Sequence, residues 1–215
     1  AYGGSYTGVV VTGTLAYASR ANVLEVLDVS DPASPRLLRT TARLPTFAPV
    51  EAAGAGVAWL VERDRSADDR EAWFDRLYAI DVRDPRAPVL AGTLRLPRHG
   101  LDDVLFSAPY LLAASAAAGI SVIDGSDPAQ PRLVETIDRG RTVTGLAAYE
   151  GTLVAAETDE AGDGWLEVLP PVHGPGSAPI GRVKVGARTG KVITAGRHAF
   201  VESAQRRPDG MFEGG

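Results

Sequence analysis

The chain has 215 residues, a formal net charge of −5 and no cysteine. Its length suits a single all-β domain, and no apolar stretch is long enough to span a membrane as a helix. Without cysteine, disulfides, thiolate metal sites and cysteine catalysis are excluded within these residues. The mildly acidic balance disfavours a nucleic-acid binder, which would present a basic face.

Pairs of short apolar runs recur along the chain, and a short turn joins the members of each pair. The pairs are 8–12 with 15–18, 50–53 with 57–61, 103–106 with 110–114, and 143–147 with 152–156. Many of these residues are β-branched, and the turns contain glycine or proline. We therefore predict a β-hairpin at each pair.

A third run follows each of the first three hairpins and leads into a repeated phrase. The three copies occupy residues 27–35, 80–88 and 123–131, with the pattern hydrophobic-Asp-x-x-Asp-Pro-x-x-Pro. Successive copies lie 53 and 43 residues apart. A period of about 40–50 residues is typical of solenoids and propellers.

The second aspartate of each copy is predicted to hold a turn. These residues are Asp31, Asp84 and Asp127. The following proline presets φ, and an aspartate side chain accepts a hydrogen bond from the backbone two residues further on. The second proline opens a fourth run, which we predict to be an outer edge strand because an edge tolerates the missing N–H.

The phrase resembles the LVIVD repeat of bacterial and archaeal β-propellers over residues 22–38, 76–92 and 119–135. The resemblance implies a propeller that is secreted or attached to a cell surface, and it carries over no catalytic residues. Four antiparallel strands per unit also match a propeller blade.

We therefore predict an all-β fold, a β-propeller of about four and a half four-stranded antiparallel blades. The blades are expected at about 7–44, 49–96, 101–138 and 142–186, with a partial blade at 190–204, in a single domain or part of one. In the fourth unit, residues 170–178 replace the aspartate turn. Because this count does not close a propeller, we expect missing chain or a partner strand to complete the open blade.

The loops between second and third strands, and those between successive blades, share one end of the predicted propeller. They are long and polar, and binding residues concentrate on loops that a rigid scaffold holds. The candidate ligand-binding residues there are His99, Asp102, Asp103, Trp73, Arg141 and Arg188. Trp73 either anchors a bound partner or packs against its own blade, and we favour the packing role.

His99 with Asp102 and Asp103 is the one histidine–carboxylate cluster close in sequence, and its pattern allows a general base or a metal ligand. An ordinary inter-blade loop is the favoured interpretation, because no histidine recurs at equivalent positions. The acidic segment 159–164 lacks the alternating oxygens and closing glutamate of an EF-hand, so we predict a plain hairpin turn. No catalytic residue, metal or cofactor is predicted.

These observations favour a non-enzymatic binding or scaffolding propeller that contacts a protein or a surface glycan. We expect it at the cell surface, in an extracellular assembly or in the periplasm, and we expect no nucleic-acid partner and no transmembrane segment. The alternative is a hydrolase- or lyase-type enzyme with its site at the channel mouth, using His99, Asp102 and nearby arginines. A third hypothesis is a structural subunit of a larger assembly.

Overall fold

The chain is built from short strands joined by turns. The computed structural model describes residues 5–64, 74–97, 100–116, 118–137, 140–170, 179–206 and 212–214. Over that part of the chain the regular secondary structure is all β, and no helix there is long and apolar enough to cross a membrane.

The strands form four sheets, and each of the first three has four strands in chain order. The first sheet contains β1 (Tyr6–Thr12), β2 (Leu15–Arg20), β3 (Val23–Asp28) and β4 (Arg36–Thr40). The second contains β5 (Val50–Gly54), β6 (Val57–Asp64), β7 (Phe74–Asp81) and β8 (Val89–Pro97). The third contains β9 (Leu101–Ser107), β10 (Tyr110–Ser115), β11 (Gly119–Asp124) and β12 (Arg132–Ile137).

The fourth sheet has six strands. It contains β13 (Thr142–Tyr149), β14 (Thr152–Thr158), β15 (Asp163–Leu169), β16 (Gly181–Ala195), β17 (His198–Arg206) and β18 (Phe212–Gly214). The predicted fold class is confirmed, and β4, β8 and β12 each form an outer edge as predicted.

The long strand β16 replaces two strands that the sequence predicts separately. Its first half pairs with β15 up to Ala187, and its second half pairs with β17 from Ala187 to Ala195. Register shifts on both sides of Thr189 let one strand serve both partners. The predicted partial blade is therefore joined to the fourth sheet without a break.

The chain divides into two compact units. The first comprises Ala1–Arg98, Ala108–Tyr110 and Asp124–Arg132, and the second comprises His99–Ser107, Leu111–Ile123 and Leu133–Gly215. In the first unit, the first two sheets pack face to face. Tyr17, Leu24 and Val26 of the first sheet share a buried cluster with Tyr78 and Ile80 of the second. Burying these large apolar side chains stabilises the unit.

Glycine permits a close approach between neighbouring first strands. A Cβ on Gly8 would lie 2.4 Å from the carbonyl oxygen of Val50, the first residue of β5. In the second unit, a Cβ on Gly145 would lie 2.8 Å from the backbone nitrogen of Val192. Gly8 of β1 thus lies against the start of β5, and Gly145 of β13 lies against the second half of β16.

The second aspartate of each phrase accepts the hydrogen bond that its turn requires. Oδ1 of Asp31 accepts from the N–H of Ala33 at 3.0 Å. Asp84 does the same with Arg86 at 2.9 Å, and Asp127 with Ala129 at 3.0 Å. A backbone bond across each turn reinforces this geometry, as from Ser34 N–H to the Asp31 carbonyl at 3.0 Å.

The first aspartate of the phrase makes a second, overlapping set of bonds. Asp28 accepts from the N–H and hydroxyl of Ser30 and from Arg36, at 2.9, 2.6 and 2.6 Å. Asp124 is bonded in the same way by Ser126 and Arg132. The Ser30 hydroxyl, with the Ser30 N–H and Arg36, lowers the pKa of Asp28 from 3.8 to about 2. Equivalent bonds from Ser126 and Arg132 lower the pKa of Asp124 to about 2.

One departure from the repeat has a steric cause. The residue after the first aspartate is Val29 or Val82 in two copies but Gly125 in the third. A Cβ on Gly125 would lie 2.7 Å from Cζ2 of Trp59, whose side chain is fully buried. The large indole on β6 therefore occupies the space that valine fills in the other copies.

Restoring the repeat residue with Gly125→Val is expected to destabilise the fold by about 1–3 kcal/mol, because the rigid indole cannot move aside. Urea unfolding measures the change. The Trp59→Leu/Gly125→Val double variant should be less destabilised than the two single changes sum to, since the clash is relieved. An unchanged or higher stability for Gly125→Val alone would contradict the steric explanation.

The two lowered carboxyl pKa values predict a loss of stability in acid. Because the folded pKa lies below the unfolded one, the stabilisation is present above the unfolded pKa of 3.8 and is lost as the pH falls towards about 2. The Asp28→Asn/Asp124→Asn variant should melt lower than wild type at neutral pH. That difference should shrink between about pH 4 and pH 2, as thermal melts at several pH values would show. A difference that stays constant with pH would refute this account.

Candidate functional site

A polar pocket of about 270 Å³ lies in the second unit, where loops from two sheets meet. Three segments form it: the β10–β11 turn, the β12–β13 loop and the β14–β15 turn. The lining residues are Ala116, Gly119, Gly140, Arg141, Thr142, Thr158, Asp159 and Glu160. We call it the loop-end pocket. It brings together Arg141 and the acidic segment, both of which the sequence places on this set of loops.

Arg141 connects the pocket to two buried carboxylates. Its Nη1 donates to Oε2 of Glu157 at 3.1 Å and to Oε1 of Glu167 at 2.7 Å. Both glutamates are at most 1% exposed, whereas the Arg141 side chain keeps 23% of its surface exposed. Arg182 also pairs with Glu167, at 3.4 Å. The guanidinium of Arg141 therefore balances charge inside the sheet while its surface borders the pocket.

The pKa of Arg141 reflects two opposing effects. Burial lowers it, but the hydrogen bond to Glu157 and the charges of both glutamates outweigh burial and raise it. Arg141 consequently stays charged across the accessible pH range.

Asp159 shapes the opposite wall of the pocket. Its Oδ1 accepts from the N–H of Asp163, and its Oδ2 accepts from the indole N–H of Trp165, both at 2.9 Å. The indole bond and then the backbone bond lower the pKa of Asp159. A backbone bond from Gly162 N–H to the Asp159 carbonyl closes the hairpin turn at 2.9 Å. The carboxylate is thus used to build the turn.

Asp102 and Asp103 both lie within strand β9, whereas the sequence placed Asp102 in the preceding loop and Asp103 at the start of the strand. Asp102 is exposed and Asp103 is half-buried, as neighbouring strand residues face opposite sides. Oδ2 of Asp103 accepts from the N–H of Leu146 on β13 at 3.0 Å, and Oδ1 accepts from Val104 N–H at 3.1 Å. Asp103 therefore joins the first strands of two neighbouring sheets.

Arg188 lies at the β16 bulge with a φ of 41° and an exposed side chain. Its N–H donates to the carbonyl of Gly162 at 3.0 Å, so it borders the turn that Asp159 holds. Arg188 does not line the loop-end pocket. His99 and Trp73 fall outside the described residues, so these two candidates stay predictions.

Sequence reasoning missed Glu157 and Glu167, because an isolated glutamate in a strand reads as an exposed position. It also missed the bonding of Asp28 and Asp124, although an arginine eight residues later, Arg36 and Arg132, is a usable signal. Among the residues with a described position, no group of three or more histidine, aspartate or glutamate side chains could hold a metal ion.

Comparison with known proteins agrees with this architecture. The LVIVD repeat matches residues 3–41 and 102–139. Four-stranded antiparallel sheets in series, with no helix in the described residues, define the class of β-propellers. The chain is a β-propeller that carries LVIVD repeats, which confirms the resemblance noted in the sequence.

Several solved propeller structures are similar in fold. The Dos1 propeller matches with a TM-score of 0.59 at 10% identity, over 94% of this chain and 54% of that chain. A chain of the mitotic checkpoint complex gives 0.61 at 15% identity, over 96% and 59%. KlHsv2 with loop 6CD replaced by a Gly-Ser linker gives 0.56 at 14% identity, over 88% and 56%.

The chain thus spans between 54% and 59% of the length of the first two of these structures. Similarity at this level of identity shows the fold alone. No curated protein shows significant sequence similarity to the chain.

Replacing Arg141 tests its structural role. Arg141→Leu is expected to destabilise the protein by about 3–5 kcal/mol, because it removes a charge that two buried carboxylates share. Chemical denaturation gives the free energy of unfolding. Arg43→Leu is the matched control, since Arg43 is exposed and should change stability by less than about 0.5 kcal/mol. Equal effects from the two substitutions would rule out the proposed charge balance.

Proposed function

We propose that this propeller is a non-enzymatic binding or scaffolding module that contacts a protein or glycan partner through the loop-end pocket. The observation that carries the proposal is that the charged groups nearest the pocket already serve the fold. Arg141 pairs with Glu157 and Glu167, and Asp159 holds its own turn. Because the Arg141 guanidinium and the Asp159 carboxylate already bond to the protein, they hold the pocket surface in place but are poorly placed to exchange protons with a substrate.

The pocket suits recognition of a hydrogen-bonding ligand. Thr142 and Glu160 add a hydroxyl and a carboxylate to a surface that strands hold on both sides, whereas the hydroxyl of Thr158 is bonded to Thr189. A rigid polar concavity with several donors and acceptors matches a sugar or a polar peptide loop. The resemblance to LVIVD-repeat proteins supports a location at the cell surface, in the periplasm or in an extracellular assembly.

The alternative is a hydrolase- or lyase-type enzyme whose site at the channel mouth uses His99, Asp102 and nearby arginines, beside Asp103 of the same sequence cluster. Asp103 accepts two backbone N–H groups, one of them from β13, which favours a role in joining strands. A carboxylate held in this way is a weaker candidate for a general base. We therefore favour binding over catalysis.

Glu160→Lys is expected to weaken partner binding by about tenfold or more, because it reverses a charge on the pocket wall. The matched control is Glu150→Lys in the β13–β14 turn of the same sheet, which should stay within about twofold. Binding to an immobilised panel of surface glycans, measured by biolayer interferometry, provides the readout. An unchanged affinity for Glu160→Lys would refute the pocket assignment.

The same preparations also decide between binding and catalysis. Wild-type protein is expected to show no turnover of chromogenic ester, glycoside and uronide substrates. Turnover that an Asp102→Asn variant abolishes and Glu150→Lys leaves intact would overturn the non-enzymatic proposal in favour of the alternative.

A further inference from the structure

Two arginines of the second sheet lie directly opposite each other, near the start of β7 and the end of β8. Arg76 of β7 is the register partner of Arg95 of β8. Register partners in an antiparallel pair project from the same face of the sheet, and like charges in that position destabilise it. Both residues belong to the first compact unit. The pair therefore gains stability from any negative charge that binds beside it.

An aromatic ring holds both guanidinium groups. The guanidinium carbon of Arg95 lies over the Phe74 ring, 4.3 Å from its centroid, and that of Arg76 lies 5.0 Å from the same centroid. Cation–π attraction of this kind offsets part of the repulsion between the two cations. Phe74 is half-buried, Arg95 is exposed, and the Arg76 side chain keeps 36% of its surface exposed. The ring thus fixes two cations side by side where a ligand can reach them.

The carboxylates beside this pair lie on the β6 side of Arg76. Oε2 of Glu62 accepts from Nη1 of Arg76 at 3.3 Å, which is long for a charge-assisted bond, and it also accepts from the Tyr78 hydroxyl at 2.9 Å. The charge of Asp64, also on β6, acts on Arg76 as well. Because β6 and β8 flank β7 on opposite sides, these carboxylates balance Arg76 and not Arg95. Arg95 forms no ion pair within the part of the chain that the structure describes.

Both arginines have N–H groups to offer a ligand. The side-chain hydrogen bonds of Arg76 use Nη1 alone, which donates to Glu62 and, at 3.2 Å, to the Tyr78 hydroxyl. Across the described residues, Nε and Nη2 of Arg76 and the side-chain nitrogens of Arg95 donate no hydrogen bond. A guanidinium group recognises a carboxylate through two parallel N–H donors. The pair therefore presents two neighbouring carboxylate-binding groups.

The Phe74 ring favours an acidic peptide over an acidic sugar as the ligand. A sugar ring gains most from stacking on an open aromatic face, whereas here two guanidinium groups already lie over the ring. A carboxylate side chain needs only the N–H donors at the edges of the guanidinium groups. Arginine and aromatic residues are also enriched at contacts between proteins.

We propose that Arg76 and Arg95 bind a carboxylate side chain from an acidic segment of a partner protein, with Phe74 holding both guanidinium groups in place. Since the chain as a whole carries a net charge of −5, this local pair of cations would direct such a segment to one place on the surface. The inference does not depend on the loop-end pocket or on its ligand.

The probe is a synthetic octapeptide of alternating glutamate and glycine, titrated into the ¹⁵N-labelled full chain. The Nε–H NMR signals of Arg76 and Arg95 should shift together and saturate with one dissociation constant. The matching octapeptide of glutamine and glycine should bind at least about tenfold more weakly, because it lacks the charge that guanidinium groups recognise. Added salt should weaken binding of the glutamate peptide, since the site is exposed to solvent.

Arg95→Gln should weaken binding of the glutamate peptide by about fivefold or more, because it removes the cation without a partner ion. Arg86→Gln is the matched control, since Arg86 is exposed in the turn between β7 and β8, at the opposite end of the same strands. It should stay within about twofold of wild type.

Arg95→Glu separates lost binding from lost folding. It should abolish binding of the glutamate peptide without lowering the midpoint of thermal unfolding, because the new carboxylate stands opposite Arg76 and replaces a repulsive pair with an attractive one.

Three results would overturn the proposal. One is the absence of a saturable shift at Arg76 and Arg95. Another is an equal loss of binding in Arg95→Gln and Arg86→Gln, because general charge attraction would then explain the binding. The third is tighter binding of tetragalacturonate than of the glutamate peptide, lost in Arg95→Gln, because the ligand would then be an acidic glycan.

Discussion

The packing within each compact unit depends on a close approach between two strands at a glycine, β1 to β5 in the first unit and β13 to β16 in the second. A Cβ on Gly8 would collide with the backbone of β5, and a Cβ on Gly145 would collide with the backbone of β16. Because glycine admits this contact, the sheet faces beyond it can meet with their side chains interdigitated. In the first unit, Tyr17, Leu24 and Val26 are buried against the second sheet beside this contact.

Features with local causes could be predicted from the sequence, and features with distant causes could not. The turns at Asp31, Asp84 and Asp127 and the outer edges at β4, β8 and β12 follow from proline and aspartate chemistry within a few residues. The continuity of β16 is different, because its glycine-rich middle reads as a loop. Thr158 and Thr144 hold Thr189 there by hydrogen bonds, and these partners lie 31 and 45 residues away.

The candidate site shows the same division. The sequence placed Arg141 and the acidic turn on one set of loops, and the loop-end pocket contains both. The sequence could not show that Arg141 faces Glu157 and Glu167. A glutamate in a strand is expected on the solvent-exposed face of the sheet, and both of these glutamates are buried. A buried carboxylate can be predicted from the sequence only when the residue that neutralises its charge is known. Moving Arg141 would therefore remove a bond from each of two buried carboxylates.

The fit between Trp59 and Gly125 bears on how such repeats can be exchanged. An indole on one blade and a missing side chain on the next phrase form a matched pair in size, and the other copies hold valine at the second position. Blades of this chain are therefore not interchangeable modules, although their turns are nearly the same. Duplicating, deleting or reordering them would bring a large residue against another large residue or leave a void. The order of the blades therefore depends on size-matched residues in their cores, and the similar turn sequences at the surface do not show it.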